Sequence, residues 1–434
     1  MDATTILQNA FDKHSSASTE LGAFHAENWK NFSAWGLPAI KHEEWKYTRI
    51  KNVFNDKMII NNAGTLDAAG VKQYFLTGQL AKNAIVFVNG VYNAALSSIS
   101  EAEETLVVKS LSVASGDEDA EFVKTNLGHS QRYHQDGINA LNAAFAAGGV
   151  YIKVKKGKKV NHPVVIYHIA DATVGFIFSQ PRILVNVEQA AEVVFLETYT
   201  KIGNDDSLTN EVIEICAAQD AIVNYIKIQN EGKGANHAGT THIRQLAKCV
   251  THAVTLTLSG NIVRNNLNMV MEAANSESHM YGLYLLNGET LADNHTIVDN
   301  QQPNCLSNEL YKGIMDEKST GVFNGKIFVR QDAQKTNAYQ SNKNILIGDS
   351  ASANTKPQLE IFADDVKCSH GCTVGKLDQD AMFYLKARGI SEQKARALLL
   401  HAFAIDILDQ IKDEEIRNYA DKLISERLSY DFNQ

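Results

Sequence analysis

Val185-Asn-Val-Glu-Gln-Ala-Ala-Glu-Val-Val194 returns in loose form 28 residues later as Ile213-Glu-Ile-Cys-Ala-Ala-Gln-Asp-Ala-Ile222. In each copy an alternating strand runs into a small-residue turn and out into a second strand. Further echoes of that turn stand at Glu272-Ala-Ala274, Asp332-Ala333 and Asp349-Ser-Ala351. Around them, from Val150 to about Val374, short β-branched runs follow one another, among them Val150 to Val154, Val164 to His168, Ile183 to Val187 and Val193 to Glu197. Helix signals almost vanish over this stretch. Repeats of roughly 20–50 residues that hold strands and no helices point to a solenoid, because no single coil can bury its own apolar face. The reading is a mainly β protein built on a right-handed parallel β-helix over residues 150–375. Evenly spaced short strands also suit a β-sandwich or barrel, although a strand-rich run of this length without a helical interlude favours the solenoid over one sandwich.

Helical patterns flank this core. From Thr4 to Trp35 the residues Ile6, Leu7, Phe11, Leu21, Phe24 and Trp29 recur at near-helical intervals until Gly36-Leu37-Pro38 stops them, so residues 1–83 read as an N-terminal helical region. Residues 84–149 lead into the core, with a strand-like run from Ala84 to Val91 and a helical one from Asp117 to Ala147, closed by Gly148-Gly149. Residues 376–434 return to helix. Asp378 or Asp380 caps a segment ending at Arg388-Gly389, and Ser391 caps the next, striped by Ala395, Leu398, Leu399, Ala402, Phe403, Ile405 and Leu408; a third amphipathic piece spans Asp413 to Leu428.

Composition excludes several classes. At 434 residues and 44% hydrophobic the chain exceeds one small domain, and a formal charge of -9 without a basic run argues against a nucleic-acid partner. The longest apolar stretch, Ala397 to Ile405, is far shorter than the roughly 20 residues that span a bilayer. Met1 to Ser16 carries Asp2, Asp12 and Lys13 and lacks the order of a secretory signal, so a cytoplasmic protein with no membrane contact is expected. Cys216, Cys249, Cys305, Cys368 and Cys372 are odd in number and scattered, which argues for reduced thiols rather than a disulfide framework.

The sharpest chemical cluster is Asp364-Asp365-Val366-Lys367-Cys368-Ser369-His370-Gly371-Cys372. In an extended chain Cys368, His370 and Cys372 share one face. Thiolate and imidazole suit iron–sulfur clusters, zinc or copper. Three ligands on one strand are cramped for a closed site, so a site completed by another chain fits better. Equally, the thiols can be small buried hydrophobes and His370 a turn residue before Gly371. Gly321-Val-Phe-Asn-Gly325-Lys326-Ile327 superficially resembles a phosphate loop, but it is one residue short between its glycines and has Ile327 where a magnesium-binding hydroxyl is needed, so no ATP site is expected. No nucleophile elbow, zinc helix or dinucleotide fingerprint is present. His162, His168, His242 and His252 lie in strand-like runs and read as hydrogen-bonded structural histidines.

Several blocks together resemble the SufB/SufD family of scaffold subunits. They are Leu37-Pro-Ala-Ile-Lys-His-Glu-Glu-Trp-Lys-Tyr-Thr48, Ala140-Leu-Asn-Ala-Ala-Phe145 with Gly149-Val-Tyr-Ile-Lys-Val154, Tyr311-Lys-Gly313, Val322-Phe-Asn-Gly-Lys-Ile327, Thr336-Asn-Ala-Tyr-Gln340 and Asn344-Ile-Leu-Ile347. Thr355-Lys-Pro-Gln-Leu-Glu-Ile361 and Ala363 to Gly371 resemble the SufD branch. Ser341-Asn342-Lys343 stands where the SufB branch has a functional cysteine, and His370-Gly371 where that branch has His-Glu.

The resemblance implies a non-catalytic scaffold for iron–sulfur cluster assembly, paired with a SufB-like paralogue and carrying a SufC-like ATPase on its C-terminal helices. It implies that His370 takes part in a transient iron or cluster site shared with SufB, with Cys368 and Cys372 as weaker candidates; Cys372 departs from the small residue the family pattern leads one to expect. Phe383-Tyr384-Leu385 and Arg388-Gly389-Ile390-Ser391 match blocks common to both scaffolds and are the candidate ATPase-docking residues, although helix packing and a glycine stop account for them too. A homodimer of the isolated chain fits the same picture. Two other classes compete: a polysaccharide lyase or hydrolase, for which Asp364-Asp365 is the nearest carboxylate pair although neighbours on a strand point apart, and a purely structural protein-binding solenoid.

Overall fold

Ile183 pairs in parallel register with Ile213, Ile213 with Thr241, and Thr241 with Leu267. The column continues through Thr296 and Gly325 to Pro357. This is a computed structural model, and it describes residues 3–15, 21–60 and 66–429. Two sheets of 12 and 11 strands face each other, and their main strands are taken alternately from the chain, so the core is a parallel β-solenoid. Ile222 stacks on Val250 and Val250 on Glu277, so a coil consumes about 28 residues. The repeat seen in the sequence is real but its register is longer by two: Glu192 pairs with Ile222. Parity is preserved, so the same residues still face inward.

The β-branched runs form strands because both faces are covered. Residues such as Val185, Val193, Ile213 and Val223 point into the lumen and fill one cluster, while Leu196, Ile226 and Leu256 point outward under the flanking helices. Turns recur at equivalent places, with Ala190 and Asp220 at φ 55° and 58°, and Asn275 and Asn304 at 62° and 60°.

The N-terminal helices Ala3–Ser15 and Gly22–Trp35 meet through Phe11 and Trp29, whose rings stack at 4.4 Å. The second helix lies against Gly137–Ala144, where a Cβ at Gly137 would collide with the Gly36 carbonyl. The expected helical run from Asp117 to Ala147 is broken into Ala120–Asn126, a turn at His129–Arg132, and Gly137–Ala144. Likewise the strand expected to Val91 ends at Val88, because Asn89 and Gly90 turn with positive φ. Asn83–Val88 joins one sheet beside Val164–Asp171 and carries antiparallel Val91–Tyr92 and Ser98–Ile99; Leu106–Ser110 pairs antiparallel with Val150–Val154 at the start of the other sheet.

The far end is different. The last strands are Ser352–Ile361 in one sheet and Lys367–Gly375 in the other, and nothing pairs beyond them among the described residues. Pro357 lies within the first of these. Helices Gln379–Ala387, Glu392–Leu408 and Glu414–Arg427 follow, capped by Asp378, Ser391 and Asp413. They fold back: Leu400, Ala404 and Ile407 join the outer cluster with Leu283 and Ile314. Lys312 reinforces the seam by donating to the Phe403 carbonyl at 2.8 Å and to Asp406 at 2.5 Å. No described helix is long and apolar enough to cross a membrane.

Candidate functional site

Lys367–Gly375 is the terminal rung, and its register places Cys368 on Ala338, His370 on Gln340 and Cys372 on Asn342. Ala338 belongs to the lumen cluster and Gln340 and Asn342 are buried, so the three candidate ligands form a row on the lumen side. The alternation expected from the sequence is therefore present. Because no further coil among the described residues covers this row, His370 and Cys372 are exposed while Cys368 is half-buried.

Burial pushes the Cys368 thiol above its ordinary range, which keeps it protonated at neutral pH and opposes the activation that a neighbouring lysine such as Lys367 would supply. No group of three His, Cys, Asp or Glu among the described residues is placed to hold a metal by itself. The row offers an exposed imidazole and an exposed thiol at a sheet edge, a partial donor set that another molecule can complete.

Behind it the lumen is polar. Gln340 donates from Nε2 to Glu309 Oε2 at 2.8 Å, and burial pushes the Glu309 carboxyl up to about 7. Asn342 donates to the Tyr284 hydroxyl at 3.0 Å, and Asn344 to Asn342 Oδ1 at 2.7 Å.

A larger inner cluster lies several coils back and was not anticipated. Lys227 donates to Glu211 at 2.7 Å, Tyr199 donates to the same carboxylate at 2.5 Å, and His168 Nε2 lies 3.0 Å from Glu197 Oε1. Burial works against the Glu197 carboxylate, but the hydrogen bond and charge of His168 and the charge of Lys227 hold it down at about 2. Its sequence signal was the alternation Val193-x-Phe195-x-Glu197-x-Tyr199, where inward positions turn from apolar to polar.

Other residues singled out from the sequence have settled roles. The Leu37 to Thr48 block holds a clamp: Glu44 accepts from Lys326 at 2.8 Å and lies 3.2 Å from His295, Glu43 pairs with Lys356, and Trp45 is buried under Arg264 at 4.5 Å. Lys326 is thus an ion-pair partner on a strand, not part of a phosphate loop. His168 bonds Glu197, His242 bonds His129 at 2.9 Å, and His252 stacks on His279 at 4.5 Å. His162 falls in a turn rather than a strand, because the strand begins after Pro163. Asp364 and Asp365 are both exposed in the bend before the terminal rung.

The C-terminal candidates form a second exposed surface. Phe383 and Tyr384 are 75% and 58% exposed on Gln379–Ala387, with the Arg388 guanidinium 5.2 Å over the Tyr384 ring. Leu385 and Ile390 are half-buried, and the Ile390 amide donates to the Leu385 carbonyl across Gly389, whose φ of 85° requires glycine or a strained residue. Leu346, Ile347, Met382 and Arg396 line a groove beside them of about 510 Å³.

Comparison with known proteins gives the context. Residues 167–403 match the family described as "SUF system FeS cluster assembly, SufBD core domain", and residues 7–166 match "SufBD protein N-terminal region". The chain is 30% identical over 400 residues to the iron-sulfur cluster assembly protein SufD of Escherichia coli, covering 91% of this chain and 90% of that one. It is 30% identical over 383 residues to an iron-sulfur cluster assembly SufBD family protein of Synechocystis, covering 86% and 84%. A solenoid with an uncovered last rung, matched by both halves of one family along nearly its whole length, leaves one conclusion: this chain belongs to the SufBD family of the SUF iron–sulfur cluster assembly system.

Proposed function

We propose that the chain is a SufD-type, non-catalytic scaffold whose terminal rung forms half of a cluster-assembly site shared with a SufB-like paralogue. The observation that carries this reading is the position of His370: exposed, in the lumen-facing row, on a strand whose outer edge has no partner among the described residues. An unpaired edge offers a row of backbone donors and acceptors to another chain. His370 contributes a neutral imidazole to iron or the growing cluster, which is cargo rather than a resident group. Cys372 is the better exposed thiol, and Cys368 is the weaker donor because burial favours its protonated form. In the isolated chain a second copy competes for the same edge.

The C-terminal surface takes the SufC-like ATPase. Phe383 and Tyr384 present large apolar area to solvent, which a stable monomer seldom leaves uncovered in one place. ATP-driven movement there reaches the solenoid through the Lys312 seam and reorganises the shared edge. ATP itself binds the partner.

Replacing His370 with Ala tests the central role. The complex with the paralogue and the ATPase still assembles on co-purification, while cluster yield falls in cells that depend on this route. Normal yield rejects the role and leaves a purely structural protein-binding solenoid. The polysaccharide reading has less support, since Asp364 and Asp365 lie on an exposed bend rather than along a groove.

A further inference from the structure

Gln340 has only one of its two amide atoms engaged. Its nitrogen is engaged by Glu309, the register partner one coil back. Its oxygen is buried and receives no hydrogen bond, although the residue as a whole is only 3% exposed. The amide lies against Gly325 on the opposite sheet, where any Cβ would collide with it, so the side chain spans the lumen and has little freedom to turn away. A buried acceptor without a donor costs free energy. The register partner one coil further on is His370, on the same face, with a ring N–H to give.

We infer that Gln340 is the positioning residue of His370. Its Oε1 accepts Nδ1–H, the ring nitrogen nearer the backbone and so the one within reach of a neighbour about 4.8 Å along the ladder. That hydrogen bond fixes the tautomer with Nε2 bare and available at the open end. Histidine ligands ordinarily donate their other nitrogen to such an outer partner, which sets ring orientation and keeps the ligating lone pair free. Glu309 completes the arrangement by holding the amide nitrogen, so that the oxygen and not the nitrogen faces the last rung. The inference rests on His370 as a ligand, but its tautomer test does not.

The test uses the full chain labelled with ¹⁵N-histidine at about pH 8, above the ordinary imidazole range. Long-range ¹H–¹⁵N correlation reads the tautomer, and the H370Q variant assigns the His370 signals. The expected result is an Nδ1–H tautomer in the natural chain, reverting in Q340L to the Nε2–H-dominated mixture of a free imidazole. The same mixture with and without Gln340 overturns the inference, and the natural chain alone decides the matter should Q340L not fold. In the assembled complex Q340L lowers cluster yield about tenfold, the scale of an outer ligand partner. Unchanged yield in H370A would instead remove the ligand reading beneath it and leave the tautomer result standing.

Discussion

Lys227 Nζ lies 2.7 Å from Glu211 Oε2 inside the lumen, where both side chains are closed off from solvent. Lys227→Met leaves Glu211 and Glu197 without their nearest fixed cation, and breaking a buried pair from one side costs about 3–5 kcal/mol. A drop in the thermal midpoint is expected. The double variant Lys227→Met, Glu211→Gln recovers most of it, because the uncompensated charge goes too. A double variant as unstable as the single one would show that packing, not charge, is at stake.

Glu231 gives a pH-dependent counterpart. Burial pushes its carboxyl up to about 8 against the pull of Lys227, with Glu211 raising it further and His237 Nδ1 3.8 Å away. A raised folded value means that the folded chain holds the proton more tightly. Its stabilising contribution is complete below the ordinary carboxyl range and is lost as pH rises towards 8. Glu231→Gln removes this slope, so the variant gains on the natural chain between pH 5 and 8 by up to about 1.4 kcal/mol per unit. Parallel melting curves across that range would contradict it.

Trp45 carries the N-terminal clamp. It is 2% exposed, stacks under Arg264 and donates from Nε1 to Asp136 at 3.2 Å. Trp45→Ala costs about 3–5 kcal/mol and loosens the segment around residue 45 from the sheet. Limited proteolysis detects this as earlier cleavage in the N-terminal 60 residues while the coils stay intact.

Phe383 and Tyr384 touch little of the fold, so their substitution separates docking from stability. Phe383→Asp with Tyr384→Asp leaves the melting temperature within about 2 °C, since exposed changes stay near 0.5 kcal/mol. Retention of the ATPase on co-purification is abolished. Full retention would move the docking surface elsewhere.

The fold was legible because its signal is distributed. Runs such as Val164 to His168 and Ile183 to Val187 repeat a strand rule many times, and an error of two residues in the repeat from Glu192 to Ile222 left every side chain on its proper face. The row Cys368, His370, Cys372 was legible for the same reason of alternation. Its exposure was not, because that depends on which coil is last. Nor could Glu197, Glu211 and Lys227 be joined from the sequence: Glu197 and Lys227 stand on successive coils with Glu211 in the chain between them, and only the register brings them together. The Leu37 to Thr48 block shows the converse, since within a conspicuous motif Glu44, Glu43 and Trp45 fasten the segment to Lys326, Lys356 and Arg264, partners no local pattern reveals.

Pro357 gives the two sheets unequal endings. It carries no amide hydrogen, so Ser352–Ile361 has a gap among its donors, whereas Lys367–Gly375 is free of proline. A strand added at this end therefore meets an unbroken run of amide donors along Lys367–Gly375 and an interrupted one along Ser352–Ile361.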